Sequence, residues 1–413
     1  MAAPVIIAGA GPGGLTLALA LHQRNIPVQV YEAVPQLKPL GVGINLLPHA
    51  VRVLHALGLA PALAESGIPT ADLRYYNKHG QLIWAEPRGI AAGYTYPQYS
   101  IHRGQFQHLL YDAARLRLGD ACLHLDHTLD GWQEQPSSID VQFLSRAGDT
   151  HAAHGSCLIA ADGIHSAARR ILWPNEGPPL FAGRILWRAV SEADPFLAGR
   201  TMIMAGHQNQ KFVCYPISRA HEQRGTALLN WVAERSLPDG APPEQDWNRQ
   251  VPKERFAQNF ADWRFDWLDV PALIDRAAVI YEYPLMDRDP LAQWSHGRVT
   301  LLGDAAHPMY PIGSNGASQA ILDAECLAEQ LAADRDVAHA LAAYDAIRRP
   351  ATAQIVLMNR ANGPEQVMQI AEERAPEGFA DVRDVIAQEE LEAIAARYKQ
   401  AAGFSIQQVN DLR

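Results

Sequence analysis

Two aspartates beside glycines, each ending an apolar run, and a glycine-rich turn near the start of the chain are the residues best placed to do chemistry. The richest segment is Arg298-Val-Thr-Leu-Leu-Gly303-Asp304-Ala-Ala-His307-Pro-Met-Tyr310-Pro311-Ile-Gly313-Ser314-Asn315-Gly316-Ala317. Residues 299–302 form a short apolar run that reads as a buried strand. Pro308, Pro311 and Gly313 mark a loop. From about Asn315, residues Ala317, Ala320, Ile321, Ala324, Leu327, Ala328 and Leu331 recur on one broad face, which predicts a long helix capped by Ser314 or Asn315. Such a segment can hold a polar ligand from two sides. Asp304 accepts hydrogen bonds from sugar hydroxyls, while the helix start offers free N–H groups and positive dipole to anionic atoms. His307 could serve as a base, but its position in a turn favours bonding to neighbouring groups.

The second motif opens the chain. Residues 5–8, Val-Ile-Ile-Ala, read as a strand and lead at once into Gly9-Ala-Gly11-Pro12-Gly13-Gly14 and a helical run. This is G-x-G-x-x-G in its required context, and it predicts dinucleotide binding. Gly9 makes the tight turn, Gly11 lets a pyrophosphate approach the backbone, and Gly14 lets helix and strand pack closely. The next strand ends at Glu32, an acid suited to ribose hydroxyls. A third segment, Cys157-Leu-Ile-Ala-Ala-Asp162-Gly163-Ile-His-Ser166, again ends a buried strand in an acid beside glycine. Alone it reads equally well as a strand, a turn and a Ser166 helix cap.

In this order, the glycine fingerprint, Asp-Gly and Gly-Asp resemble the flavoprotein aromatic hydroxylases, the single-component group typified by para-hydroxybenzoate hydroxylase. The resemblance covers roughly residues 4–360. Within the group, further details resemble the phenazine hydroxylases acting on 5-methylphenazine-1-carboxylate. They are Pro39-Leu-Gly-Val-Gly43-Ile-Asn45, Glu86-Pro-Arg-Gly89, Tyr96-Pro-Gln-Tyr-Ser-Ile-His-Arg103, Asn230-Trp-Val232, Ala261-Asp-Trp263, Met286-Asp-Arg-Asp-Pro290 and the Ser314-Asn315 pair.

The resemblance implies FAD, with NADH or NADPH as transient co-substrate and O2. It implies a reaction in which a flavin C4a-hydroperoxide passes its distal oxygen to an aromatic carbon. The expected substrate is a phenazine-carboxylate-like or other fused aromatic acid, with or without loss of a carboxyl group. In that scheme Glu32 and Ala33 meet the adenosine, and Arg103 lies over the flavin side chain near the phosphates. Asp162, Gly163 and Asp304 serve the ribityl and pyrophosphate region. Gly43 admits the isoalloxazine, Pro311 sits against its reactive face, and Gly313, Ser314, Asn315, Gly316 and Ala317 surround its pyrimidine edge. Pro311, Gly316 and Ala317 are the catalytic candidates, since an exposed helix end favours an anion by about 0.3–1 kcal/mol, and up to about 2 when partly buried. Cofactor chemistry removes the need for a nucleophile triad or metal cluster, and the chain offers neither pattern. Tyr215, Tyr310, Trp187, Met204 and Arg188 are the expected substrate contacts, Arg188 toward a carboxylate.

The implied fold is α/β: a Rossmann-like FAD-binding domain (residues 1–72, 96–180 and 284–350) interleaved with an antiparallel β-sheet substrate domain (73–95 and 181–283). A C-terminal helical segment, 351–413, comes last. Composition agrees. The chain has 413 residues and 48% hydrophobic content, ample for more than one core. A net charge of −10 argues against a nucleic-acid surface. The basic pairs Arg169-Arg170 and Arg348-Arg349 read as solvated helix ends. Cys122, Cys157, Cys214 and Cys326 lack metal spacing and read as reduced thiols. With no apolar run near the ~20 residues of a membrane span and no leader pattern, a cytoplasmic monomer or homodimer is expected. Two other readings stand beside the hydroxylase. One is a monooxygenase of the same fold acting on an antibiotic, polyketide or alkaloid; the other is a non-enzymatic dinucleotide-binding protein.

Overall fold

A computed structural model describes residues 3–38, 41–237 and 249–411, so Pro39 and Leu40 of the Pro39–Asn45 motif lie outside it. The short apolar runs build a six-stranded sheet in the order Ser295–His296, Val299–Leu301, Cys157–Ala160, Val5–Ala8, Val28–Glu32 and Leu123–Leu125. All pairings are parallel except the first. Parallel strands covered on both faces need continuous apolar sequence, and both Val5–Ala8 and Cys157–Ala160 are buried at every position. The strand register aligns the loop exits. Ala8 pairs with Ala160, and Ala160 with Leu301. Gly9, Asp162 and Gly303 therefore leave the sheet at one edge, the carboxyl ends of adjacent strands, where open α/β sheets bind ligands.

A seven-stranded sheet forms the second layer. Its order is Tyr281–Asp287, Leu180–Ala193, Ala227–Ser236, Gln210–Pro216, Thr201–His207, Asp72–Tyr76 and Leu82–Pro87. The excursion near residue 73 does join the strands after 181. The expected antiparallel order fails at one pair, because Thr201–His207 runs parallel to Asp72–Tyr76. The expected boundaries at 283 and 350 also fall inside elements, the Tyr281–Asp287 strand and the Val337–Arg360 helix.

Alternation gives the sheet two apolar faces. The far face carries Trp187, Phe212, Cys214 and Trp231 against Phe256 and Phe260. The near face carries Leu73, Tyr75, Met202, Met204, Tyr215 and Ile217, covered by Met368, Leu391 and Ile394 of the C-terminal helices. Trp187 thus lies on the opposite side from Met204 and Tyr215. It stacks on Phe256 at 4.6 Å and donates to Glu282 Oε2 at 2.9 Å. It is a packing residue, and the expectation that it touches substrate does not survive.

Two buried charges hold the motif loops. Asp323, on the Gly316–Ala333 helix, is 0% exposed. Its Oδ2 lies 2.5 Å from His307 Nε2 and accepts the Gly303 N–H at 3.1 Å, while Oδ1 accepts from Arg348 Nε at 2.8 Å. Arg169, 1% exposed, donates to the carbonyls of Ala305, Ala306 and Asp289. The expectation that Arg169 and Arg348 are solvated is therefore wrong; Arg170, by contrast, is exposed.

Burial alone would raise the Asp323 carboxyl, but the charges and hydrogen bonds of His307 and Arg348 outweigh it and hold it below its ordinary value. A carboxyl depressed in the folded state contributes stability that is complete above its unfolded pKa, near 3.9, and is lost as pH falls toward the folded value. The variant Asp323→Ala should lose about 3–5 kcal/mol of unfolding free energy at neutral pH. In urea titrations, that deficit should shrink below about pH 4.

Candidate active site

The three motif loops meet above the parallel sheet. Gly9 has φ +114°, and a Cβ there would come within 2.2 Å of the Ala161 carbonyl oxygen, so only glycine lets the first loop touch the Asp-Gly loop. At Gly14 a Cβ would reach 2.0 Å from the Gly9 carbonyl oxygen, and at Gly13 it would meet Leu302 and Ala320 at 2.5 and 3.2 Å. Those two glycines pack the Pro12–Gln23 helix against its own strand end and against the Gly316–Ala333 helix. Gly11 differs: nothing lies within 4 Å of its added Cβ. It also stands at the cap of a helix with no side-chain capping bond, with Pro12 as the first helical residue. Open space over uncapped amides fits a pyrophosphate.

Glu32 holds this turn from the side, accepting the Ala10 N–H at 2.7 Å and the Val34 N–H at 3.0 Å. Both oxygens retain further acceptor capacity for ribose hydroxyls. Ala33 is exposed beside it. Asp162 accepts the Ala167 N–H at 2.8 Å through Oδ2, while its buried Oδ1 has no hydrogen-bond partner among the described residues. Burial raises this carboxyl above its ordinary value. An unpartnered acceptor beside Gly9 and Gly163 suits a hydroxyl-bearing ligand. Asp304 and Pro311 are exposed.

The long helix begins at Gly316 as expected, but neither proposed cap is made. Asn315 occupies the cap position without a side-chain capping bond, is fully buried and receives Gln319 Nε2 at 3.3 Å. Ser314 takes φ +55°. The N–H groups of the first helical turn, Gly316 and Ala317 among them, are left without a side-chain cap, as an anionic partner would require.

Gly43 joins the two layers. Its N–H donates to Asn230 Oδ1 at 2.7 Å, and its carbonyl accepts from Arg188 Nη2 at 3.0 Å. A Cβ would lie 2.7–2.8 Å from Ile217, Asn230 and Tyr215, so the strand and the sheet touch backbone to side chain. Arg188 forms no ion pair among the described residues, and its Nε is unpartnered there. Burial holds its guanidinium below the ordinary value, and the nearby charge of Arg103 adds to this. Arg103 itself is exposed, its N–H donating to the Val42 carbonyl at 2.9 Å.

On the substrate side, Met204 lines a cavity of about 20 Å³ with Leu73, Tyr75, Met202, Gly313 and Ser314. Tyr215 stays at Gly43. Tyr310 stands apart: burial and then the Asp287 charge push its phenol up to about 12. Sequence reasoning missed Asn230, Arg169, Asp323 and the polar lining of this cavity. The Asn230-Trp-Val232 motif was visible, but nothing in it marked Asn230 as a partner of Gly43.

Gly9 and Gly11 should separate fold from ligand. Gly11→Ala should leave apoprotein stability within about 0.5 kcal/mol yet weaken FAD binding, read by flavin fluorescence, at least about tenfold. Gly9→Ala should instead destabilise the apoprotein by about 1–3 kcal/mol.

Comparison with known proteins places this geometry. The FAD binding domain family matches residues 2–359. Phenazine 1,6-dicarboxylic acid hydroxylase from Lysobacter antibioticus is 47% identical over 363 residues, covering 86% of this chain and 89% of that protein. Aurachin C monooxygenase/isomerase from Stigmatella aurantiaca is 31% identical over 83% of this chain and 84% of its own. The structure of Klebsiella pneumoniae HpxO with FAD and uric acid superposes with a TM-score of 0.72 at 22% identity, covering 99% of this chain and 95% of that one. The chain belongs to the FAD binding domain family as an FAD-dependent aromatic monooxygenase that draws electrons from NAD(P)H.

Proposed function

We propose that the protein oxygenates a fused aromatic acid of the phenazine-carboxylate type. The observation that carries this reading is the cavity where the Gly313–Ser314 turn faces the apolar wall of Leu73, Met202 and Met204. It joins the cofactor edge to a flat hydrophobic surface, as a pocket for a planar ring requires. The 47% identity to a phenazine dicarboxylic acid hydroxylase supports the same class.

FAD, when bound, supplies electron transfer from NAD(P)H and the activation of O2. The chain's part is placement and exclusion of water. Gly9, Gly11, Pro12, Gly13 and Gly14 receive the pyrophosphate, and Glu32 and Ala33 the adenosine. Arg103, Asp162, Gly163 and Asp304 serve the sugar-alcohol chain and phosphates. Gly43, Pro311, Gly313, Ser314 and Asn315 border the ring system, where the amides of Gly316 and Ala317 and the Arg188 guanidinium favour negative charge. Arg188 is bound to the Gly43 carbonyl and stands close to Arg103. We therefore assign it to the cofactor side rather than to a substrate carboxylate. Met204 and Tyr215 border the substrate, and Tyr310 shapes the loop carrying Pro311. The interleaved division into a cofactor domain, a sheet domain and a helical tail frames these roles.

The test is NADH and NADPH oxidation in air by the FAD-loaded protein, with and without phenazine-1-carboxylate, and with products followed by mass spectrometry. Expected is marked stimulation and a product that has gained oxygen, with or without loss of CO2. Stimulation by an alkaloid or polyketide instead, with phenazines inert, would keep the monooxygenase and overturn the phenazine assignment.

A further inference from the structure

The Glu86-Pro-Arg88 segment carries charge into the interior beside the substrate cavity. Glu86 is 5% and Arg88 8% exposed. Arg88 Nη2 donates to Glu86 Oε1, and Lys399 Nζ, from the Gln388–Ala401 helix, donates to Glu86 Oε2 at 2.5 Å. Two cations therefore share one carboxylate. Burial alone would raise the Glu86 carboxyl, but Arg88 and Lys399 hold it below its ordinary value, so it stays ionised. The cluster keeps a surplus of about one positive charge near neutral pH. A surplus charge that reaches solvent only in part, through Lys399, is costly unless an anion answers it.

The hydrogen bonding points the same way. Arg88 Nε, Tyr75 Oη and Gln98 Oε1 are buried and have no hydrogen-bond partner among the described residues. All three residues line the cavity that also contains Met202, Met204 and Ser314. Arg88 and Tyr75 are donors that a carboxylate can satisfy, and Gln98 needs only an amide flip to become a third. Glu86, Lys399 and Tyr398 also line the cavity, beside an apolar wall of Leu73, Met202 and Met204, and Ser314 brings the cofactor edge to it. At about 20 Å³ it holds one water and no more, so an aromatic ring must displace side chains to enter. An open groove of about 730 Å³ adjoins it, lined by Trp84 and Ala396 and sharing Glu86, Ala395 and Lys399 with the cavity. The Lys399–Glu86 pair thus stands between groove and cavity.

We propose that Arg88, assisted by Tyr75 and Lys399, seats the carboxylate of the aromatic substrate and sets the preference for acids over neutral rings. The assignment rests on the reading of this cavity as the monooxygenase pocket. It differs from that reading in naming an anion seat on the first strand pair and the C-terminal helix.

The probes are phenazine-1-carboxylate and unsubstituted phenazine, titrated against the FAD-loaded full chain by the perturbation of flavin absorbance. The ratio of the two affinities cancels any general loosening of the pocket. Wild type should prefer the acid by at least about tenfold, as expected for a hydrogen-bonded charge. Arg88→Gln and Lys399→Met should each remove most of that preference. Glu86→Gln should enlarge it, because both cations lose their internal counterion. Structural damage would not move the ratio in opposite directions. Should Arg88→Gln fail to retain FAD, Lys399→Met decides, since Lys399 is partly exposed on the tail. A ratio within about twofold of wild type in both Lys399→Met and Glu86→Gln overturns the proposal. Wild type that binds both phenazines alike overturns the carboxylate seat alone. Wild type that binds neither, with FAD in place, overturns the substrate class beneath it.

Discussion

The Asp323 carboxylate is the constraint on which the site depends. Three groups from two stretches of chain converge on it: the Gly303 amide and the His307 ring, and the Arg348 guanidinium. The first two belong to the loop that leaves the parallel sheet. The third belongs to the Val337–Arg360 helix, and the acid itself to the Gly316–Ala333 helix. One buried charge therefore fixes the angle between strand, loop and helix. Arg169 repeats the logic from the Asp-Gly side by binding the carbonyls of Ala305 and Ala306. A loop with carbonyls held by one motif and an amide held by another has little freedom left. That rigidity suits amides aimed at a developing negative charge, because preorganised donors cost no rearrangement during reaction.

The second joint is softer and lies at Gly43. Asn230 and Arg188 take the two polar groups of one peptide strand from the facing sheet. Among the described residues both side chains keep one unpartnered nitrogen, Asn230 Nδ2 and Arg188 Nε. At this joint the two layers meet through two hydrogen bonds and a close glycine.

Much of this was legible in the sequence because it is local. The fingerprint at Gly9–Gly14, the strand ends at Glu32 and Asp162, and the helix from 316 arise from short-range pattern, and the structure reproduces them. What failed was long-range. Arg169-Arg170 and Arg348-Arg349 look alike as basic pairs at helix ends, yet Arg169 is buried and Arg170 exposed. Only the fold brings carbonyls and a carboxylate to the first of each pair. Trp187 fails for a related reason. Alternation shows that Trp187 and Arg188 face opposite ways but not which of the two faces meets the cofactor. The parallel pairing of Thr201–His207 with Asp72–Tyr76 joins segments far apart in the chain, and no local signal marks it.

The C-terminal segment explains how an apolar sheet face becomes a pocket. Without it, Leu73, Met202 and Met204 would open to solvent, and a site for oxygen chemistry would need another way to exclude water. Tyr398 closes the arrangement: its hydroxyl lies 3.1 Å from the Ile312 carbonyl and 3.0 Å from Asn359 Oδ1, within reach of donating to either. Gln319 ties the same tail to the cofactor helix through the Ala402 carbonyl at 3.0 Å. The tail therefore covers the apolar sheet face through Met368, Leu391 and Ile394 and holds the Ile312–Ser314 turn through Tyr398. Lys399 lies one position beyond Tyr398 on that helix, so a charge at the rim of the pocket and a ring in its wall move as one body.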